Sequence, residues 1–273
     1  MPPQVIPGPL AGLLGQVVLL AVLEAGVGLG ALGWGFGLAY ALALCVLLTR
    51  AMHGSGTVAF GPADLVTLTR AVLVGGVTAL TAESYARPLD VAPLVAVTVV
   101  ALVLDAVDGL VARGTGTATE FGARFDMETD AWLIAVLSVY AAPGYGAWVL
   151  CIGAMRYAYV AASWVLPWLR GQLFPRYWRK VVAAVQGIVL AVAAADVLPR
   201  ALVLLALLGA LALLTESFGR DVVWLWLRRP ARAAVPASEF EQFRGNSTKA
   251  RRDSSTFPET APSTGGGAQR RRA

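Results

Sequence analysis

Four aspartates lie close together in a chain that is otherwise strongly apolar: Asp105, Asp108, Asp126 and Asp130. Residues three or four apart share one face of a helix, so the first two form one acidic stripe and the last two form a second. The connection between the stripes is short, which predicts antiparallel neighbouring helices with the four carboxylates at matching depth. Carboxylates that converge inside a membrane repel one another, so they must either take up protons or surround a cation.

The residue types predict which cation this would be. Oxygen ligands without histidine or cysteine favour a hard ion, Mg²⁺, Mn²⁺ or Ca²⁺. Carboxylates on both helices would hold two ions about 4 Å apart, which suits the attacking and leaving oxygens of a reaction at phosphorus. Gly109 and Gly122 remove side chains where a nucleotide or pyrophosphate would approach the backbone. Arg113 has the fork geometry that holds phosphate oxygens.

Other functions are open to an intramembrane acidic cluster. The aspartates alone would also suit a patch of hydrogen bonds between helices or a proton relay. A membrane transporter that uses the carboxylates for cation or proton coupling is the main alternative to an enzyme, although the sequence lacks the internal inverted repeat that many transporters show. For Arg113 alone, the alternative is an arginine that only sets membrane topology.

The composition predicts an all-α, polytopic integral membrane protein. Hydrophobic residues make up 57% of the chain and charged residues 14%, and the mean hydropathy is +0.66, which exceeds the usual apolar share of soluble domains. A single histidine, His53, argues against histidine-based catalysis, and Cys45 and Cys151 lack metal-binding neighbours. No aromatic and basic module for nucleic acid is present. Eight candidate spans fall near residues 10–31, 35–49, 65–82, 91–112, 122–142, 146–168, 181–198 and 200–218.

The distribution of basic residues predicts the topology. With the N-terminus in the cytoplasm, the basic connections 50–64 and 167–180 and the C-terminus all fall on the cytoplasmic side. We therefore expect a multi-pass protein of the cell membrane whose acidic cluster also faces the cytoplasm. From residue 229 the chain is rich in Pro, Gly, Ser, Thr and Arg, which predicts a disordered basic tail over 229–273.

The residues around the aspartates resemble the signature of a known family. The pattern is Asp105-x-x-Asp108-Gly109-x-x-Ala112-Arg113, eight residues, then Gly122-x-x-x-Asp126-x-x-x-Asp130. It is similar to the complete signature of the CDP-alcohol phosphotransferases. The resemblance implies a six-helix catalytic core over 60–228, preceded by two additional transmembrane helices and a cytoplasmic loop over 1–59. Because family members are commonly dimeric, it also implies a homodimer.

The resemblance further implies a reaction and a role for each residue. The reaction is transfer of a phosphatidyl group from a CDP-linked lipid donor to an alcohol acceptor, with release of CMP. The expected donor is CDP-diacylglycerol. The four aspartates would bind two Mg²⁺ or Mn²⁺ ions, and Asp130 would also act as general base. Upstream, "PADLVTLTR" resembles the family segment P-x-N-x-x-T-x-x-R, with aspartate where asparagine is usual. The residues that would line the donor site are Asp64, Thr67, Arg70, Gly109, Ala112, Arg113 and Gly122.

The acceptor is left open. Arg156 interrupts an apolar helix, so we expect it to face the polar cavity and contact substrate, with an aspartate as one candidate partner. The basic connection 167–180 would suit a phosphorylated acceptor, but loop charge that only sets topology explains it equally well. Family members that use phosphorylated glycerol or inositol typically have a basic residue after the last aspartate, whereas Asp130 is followed by "AWL".

Overall fold

The computed structural model describes residues 8–55, 60–115, 119–171 and 177–228, and no β-strand occurs among them. Two short 3₁₀ segments, Ala147–Val149 and Pro167–Arg170, flank the sixth helix. The α-helices are α1 (Gly8–Val27), α2 (Ala31–Ser55), α3 (Pro62–Ser84), α4 (Val91–Thr115), α5 (Glu120–Tyr145), α6 (Leu150–Val165), α7 (Tyr177–Ala195) and α8 (Arg200–Leu227). The predicted all-helical fold is confirmed.

The helices are those of a multi-pass membrane protein. Five of them contain a segment that is long and apolar enough to cross a bilayer: α1, α2, α3, α8 and the continuous stretch Ala147–Val165 that includes α6. In α4 and α7 the apolar part is shorter, Val91–Val107 and Lys180–Ala195. The apolar part of α4 ends within the first acidic stripe, and the second acidic stripe lies in the first turns of α5. Charged residues therefore shorten the apolar runs of the helices that carry the aspartates.

Two helices extend well past the apolar runs that predicted them. The second apolar run ends at residue 49, but α2 continues to Ser55. Within its last turns, the side chains of Thr49 and His53 each bond to the backbone carbonyl one turn earlier. The last run ends at residue 218, but α8 continues to Leu227 and includes an i,i+4 ion pair between Glu216 and Arg220. Helical hydrogen bonding continues where side chains turn polar, so hydropathy alone underestimates helix length.

Helix α3 lies at the centre of the bundle and contacts α1, α2, α4 and α5. Two adjacent glycines allow this close packing. A Cβ added at Gly76 would lie 2.7 Å from Leu19 of α1, and one at Gly75 would clash with Gln16 of α1 and Tyr40 of α2. The main hydrophobic core is built from side chains of many helices, among them Leu20, Val74, Val77, Leu80, Leu133, Leu137, Leu190 and Leu207.

The turn between α1 and α2 is fastened to the end of α3 by two side chains. The buried carboxylate of Glu83 accepts a bond from the Gly33 backbone N–H in the first turn of α2, at 3.0 Å. Arg87 donates from Nε to Glu83 at 2.7 Å, and from Nη2 to the carbonyls of Val27 and Gly28 at the end of α1. Gly28 has a φ of +67°, which glycine adopts without strain. The N-terminal helix pair is therefore anchored to the rest of the bundle.

Candidate active site

Asp105 of α4 converges with Asp126 and Asp130 of α5, and a cation from α3 lies among them. Arg70 Nη1 is 3.0 Å from Asp105 Oδ1 on α4. The same Nη1 bonds to Asp126, and Nη2 bonds to Asp130, both on α5. Three of the four aspartates that the spacing predicted to converge, Asp105, Asp126 and Asp130, therefore meet at one guanidinium group. The shared positive charge of Arg70 offsets part of the repulsion between the three carboxylates.

The three carboxylates are close enough together to hold a metal ion. One ligand oxygen from each of Asp105, Asp126 and Asp130 lies within 4.8 Å of the other two. Three acidic oxygens at that spacing can surround a single divalent cation, and an all-oxygen donor set suits Mg²⁺ or Mn²⁺. The residues thus fit the metal chemistry that the spacing predicted. The fourth aspartate, Asp108, lies in α4, but its side chain is outside the described part of the structure.

The site is open on one side and closed on the other. The side chains of Asp105, Asp126 and Asp130 are 37%, 36% and 30% exposed, whereas Arg70 is only 1% exposed. Arg70 therefore lies behind the carboxylates, which a ligand can reach from the exposed side. Lys180, in the first turns of α7, is near enough to Asp105 to interact with it electrostatically. A ligand at the carboxylates would consequently meet positive charge from two helices.

The first turns of α3 and α5 pack closely against each other at Asp64 and Gly122. Asp64 is buried, and its Oδ2 accepts a bond from the Gly61 backbone N–H at 2.8 Å, which caps α3. A Cβ added at Gly122 would lie 2.5 Å from Asp64 Oδ1 and 3.1 Å from Thr119 Oγ1. Thr119 in turn caps α5 by accepting from the Gly122 N–H at 2.9 Å. Helix packing thus gives Gly122 a reason to be glycine besides the predicted approach of a nucleotide.

The remaining predicted donor residues fall in two groups. Thr67 lies one turn before Arg70, is buried, and donates from Oγ1 to the Ala63 carbonyl at 3.2 Å. Gly109, Ala112 and Arg113 lie on α4 beyond Asp105, so they belong to the helix that carries half of the cluster. Their side-chain surroundings are outside the described part of the structure.

Arg156 has a different partner from the one considered. An aspartate was a candidate, but the guanidinium of Arg156 on α6 bonds to Glu128 on α5. Glu128 lies two residues from both Asp126 and Asp130, and two residues along a helix correspond to a rotation of roughly 200°. The ion pair is therefore on another face of α5. An aspartate partner is wrong, and a role for Arg156 in acceptor binding stays a prediction.

Sequence reasoning assigned Arg70 to the donor site and missed its contacts with the aspartates. The pattern contained a clue, because Arg70 is a charged residue on an apolar helix and such residues pair with opposite charge. The spacing within α3 could not identify which acids it would meet. That choice depends on how α3 packs against α4 and α5.

The fold and the site together define a class: multi-pass helical membrane proteins that carry a cluster of converging carboxylates. The chain belongs to the CDP-alcohol phosphatidyltransferase family, whose model matches residues 60–215, more than half of the chain. Neither the curated proteins nor the solved structures include a significant match.

Family membership confirms the resemblance seen in the signature and establishes the kind of enzyme. The protein is a phosphotransferase of phospholipid biosynthesis that acts on CDP-alcohol substrates in a lipid environment, and the family depends in general on divalent metal. The enzyme is thus favoured over the transporter that the acidic cluster alone would also allow. The matched residues begin just before α3 and include the site.

Proposed function

We propose that the protein transfers a phosphatidyl group from CDP-diacylglycerol to an alcohol and releases CMP. The observation that carries the proposal is the convergence of Asp105, Asp126 and Asp130 from two helices, within 4.8 Å of one another, in a family that acts on CDP-alcohols. We further propose that Asp108 completes the set and that the four aspartates hold two divalent ions, Mg²⁺ or Mn²⁺. When bound, such ions offset pyrophosphate charge and stabilise the leaving CMP.

The donor would lie over the exposed side of the carboxylates. We assign its CDP moiety to a surface formed by the start of α3, the end of α4 and the start of α5. These segments carry the predicted donor residues, and Arg113 has the fork that phosphate oxygens require. The donor site is assigned to Asp64, Thr67, Gly109, Ala112, Arg113 and Gly122. Arg70 is buried behind the carboxylates and would support this site through the aspartates. Arg156 is assigned to the acceptor.

Asp130 is assigned as the general base. Its carboxylate accepts the proton of the acceptor hydroxyl while the hydroxyl oxygen attacks the phosphorus next to the lipid. A new P–O bond to the acceptor forms as the P–O bond to CMP breaks, so the phosphatidyl group moves in one in-line step. The proton leaves later to solvent through the exposed side of the site. No covalent bond between enzyme and lipid is required.

We also propose where the reaction takes place. The cluster lies near the ends of α2, α4, α6 and α8 and the beginnings of α3, α5 and α7, where most basic residues of the described chain occur. By the positive-inside rule this end faces the cytoplasm, and the membrane would be the cell membrane. Residues 60–228 would form the catalytic core, 1–59 an additional helix pair and 229–273 a basic tail. We propose a homodimer only because members of the family are commonly dimeric.

The test is CMP release by the purified protein in lipid nanodiscs. Reactions contain CDP-diacylglycerol, Mg²⁺ or Mn²⁺ and one acceptor from a panel of free and phosphorylated alcohols. We expect CMP release with at least one acceptor, and none from Asp126→Asn. The matched control is Asp90→Asn. Asp90 is an exposed acid in the turn between α3 and α4, and its side chain accepts a bond from the Ala92 backbone N–H in the first turn of α4. Equal CMP release from Asp126→Asn and the wild type would refute the assignment of the site.

A further inference from the structure

Arg70 is buried, whereas the three carboxylates that contact it in the described part of the chain are partly exposed. The guanidinium is reached from α4 and α5, yet it belongs to α3, and the carboxylates lie between it and solvent. A buried charge is costly unless it is paired, and the three contacts provide that pairing. Arg70 therefore places a permanent positive charge on the buried side of the acidic cluster.

The contacts place Arg70 in direct competition with a metal ion. Each of the three carboxylates offers Oδ1 to the guanidinium. The same three residues are the ones whose oxygens approach within 4.8 Å of one another. A divalent ion held there would share its ligands with Arg70. For a separation of about 5 Å, a monovalent and a divalent cation repel enough to weaken binding roughly tenfold, even at the dielectric constant of water.

A negatively charged ligand would reverse this penalty. The pyrophosphate of a CDP-linked donor carries two negative charges, so the donor neutralises the excess positive charge that metal and Arg70 create together. Binding linkage is reciprocal, so a donor that strengthens metal binding is itself bound more strongly when metal is present. Without Arg70 the cluster would attract divalent ions strongly whether or not a donor is bound.

We propose that Arg70 is a positioning residue that couples metal binding to donor binding in this site. By holding the carboxylates of α4 and α5 together and offsetting part of their charge, it keeps metal affinity low until the pyrophosphate arrives. The inference deepens the proposed function and rests on it, because it takes the three aspartates as metal ligands. It differs from a direct substrate contact, which would change donor affinity but not the affinity for metal alone.

The experiment measures Mn²⁺ affinity by the paramagnetic resonance signal of free Mn²⁺, with and without CDP as a soluble probe. Wild type, Arg70→Gln and Arg70→Lys are compared in the same detergent. We expect Arg70→Gln to bind Mn²⁺ at least tenfold more tightly without CDP, and to lose most of the increase in affinity that CDP causes in the wild type. Arg70→Lys keeps the charge, so its Mn²⁺ affinity without CDP should stay within about threefold of wild type.

Each other outcome has a definite meaning. If both variants bind Mn²⁺ more weakly than wild type, Arg70 acts only by shaping the site and the coupling proposal is wrong. Unchanged Mn²⁺ affinity in Arg70→Gln also overturns it. If Arg70→Gln does not fold, Arg70→Lys decides alone: near-normal affinity with normal CDP coupling supports the proposal, and a tenfold loss refutes it. A wild type that binds no Mn²⁺ even when CDP is present refutes the metal site itself, whereas Mn²⁺ binding without CMP release refutes only the proposed transfer.

Discussion

The anchor between α3 and the α1–α2 turn rests on one buried carboxylate whose removal has a calculable cost. Glu83 is 3% exposed and accepts bonds from the Gly33 N–H at 3.0 Å and from Arg87 at 2.7 Å. Glu83→Gln keeps the shape and one acceptor oxygen but loses the negative charge. A hydrogen bond to a charged group contributes about 1.5–3 kcal/mol, and charge at a helix N-terminus contributes about 0.3–1 kcal/mol. Because part of the bonding survives, we expect the free energy of unfolding to fall by about 2 kcal/mol.

The assay is unfolding of the protein in mixed micelles by increasing SDS, followed by circular dichroism. Asp90→Asn serves as the control, since it neutralises an exposed acid at the same end of the bundle. Transfer activity at low temperature should change little in Glu83→Gln. Glu83 and Arg70 lie on the same helix, roughly 20 Å apart along its axis, so the anchor is remote from the aspartates.

Two results would refute this reasoning. If Glu83→Gln unfolds at the same SDS fraction as Asp90→Asn, the carboxylate does not stabilise the junction. If Glu83→Gln folds normally but loses CMP release, the N-terminal helix pair influences the site directly. The separation of roughly 20 Å between Glu83 and Arg70 would then not make the two regions independent.

The remaining predictions concern the site. Gly122→Ala should lower the free energy of unfolding by about 1–3 kcal/mol in the SDS assay and reduce turnover, because its Cβ would overlap the carboxylate of Asp64. Gly209→Ala, whose Cβ would have no atom within 4 Å, should be neutral or slightly stabilising in the same assay. Asp130→Asn should abolish transfer while CDP-lipid binding, measured by equilibrium dialysis, stays largely intact, and wild-type turnover would exclude it as the base. Chelation with EDTA should stop CMP release, and added Mg²⁺ or Mn²⁺ should restore it; activity that persists in EDTA would contradict the metal site.

Much of the fold could be predicted from hydrophobicity, because a span needs a continuous apolar stretch and that is a local property of the sequence. The eight predicted stretches correspond to eight helices in the described chain. The ends were less accurate, as α8 shows by continuing to Leu227. A helix continues through polar residues when its backbone bonds remain available, and hydropathy contains no information on that point.

Long-range pairs in and around the site could not be predicted from local sequence pattern. Arg156 and Glu128 are far apart in the chain, and their pairing depends on the rotation of α6 against α5. The close approach of Asp64 to Gly122 likewise depends on where α3 meets α5. Neither contact follows from helical periodicity within one element.

By itself the sequence determined that the aspartates form two acidic stripes, because spacings of three and four residues place side chains on one face of any helix. It also determined the family, through a signature confined to α4, α5 and their connection. Only the tertiary structure decided that Arg70 lies among Asp105, Asp126 and Asp130. The physical reason is that a buried charge takes its partners from whichever helices pack against it, and that packing is set by the whole bundle.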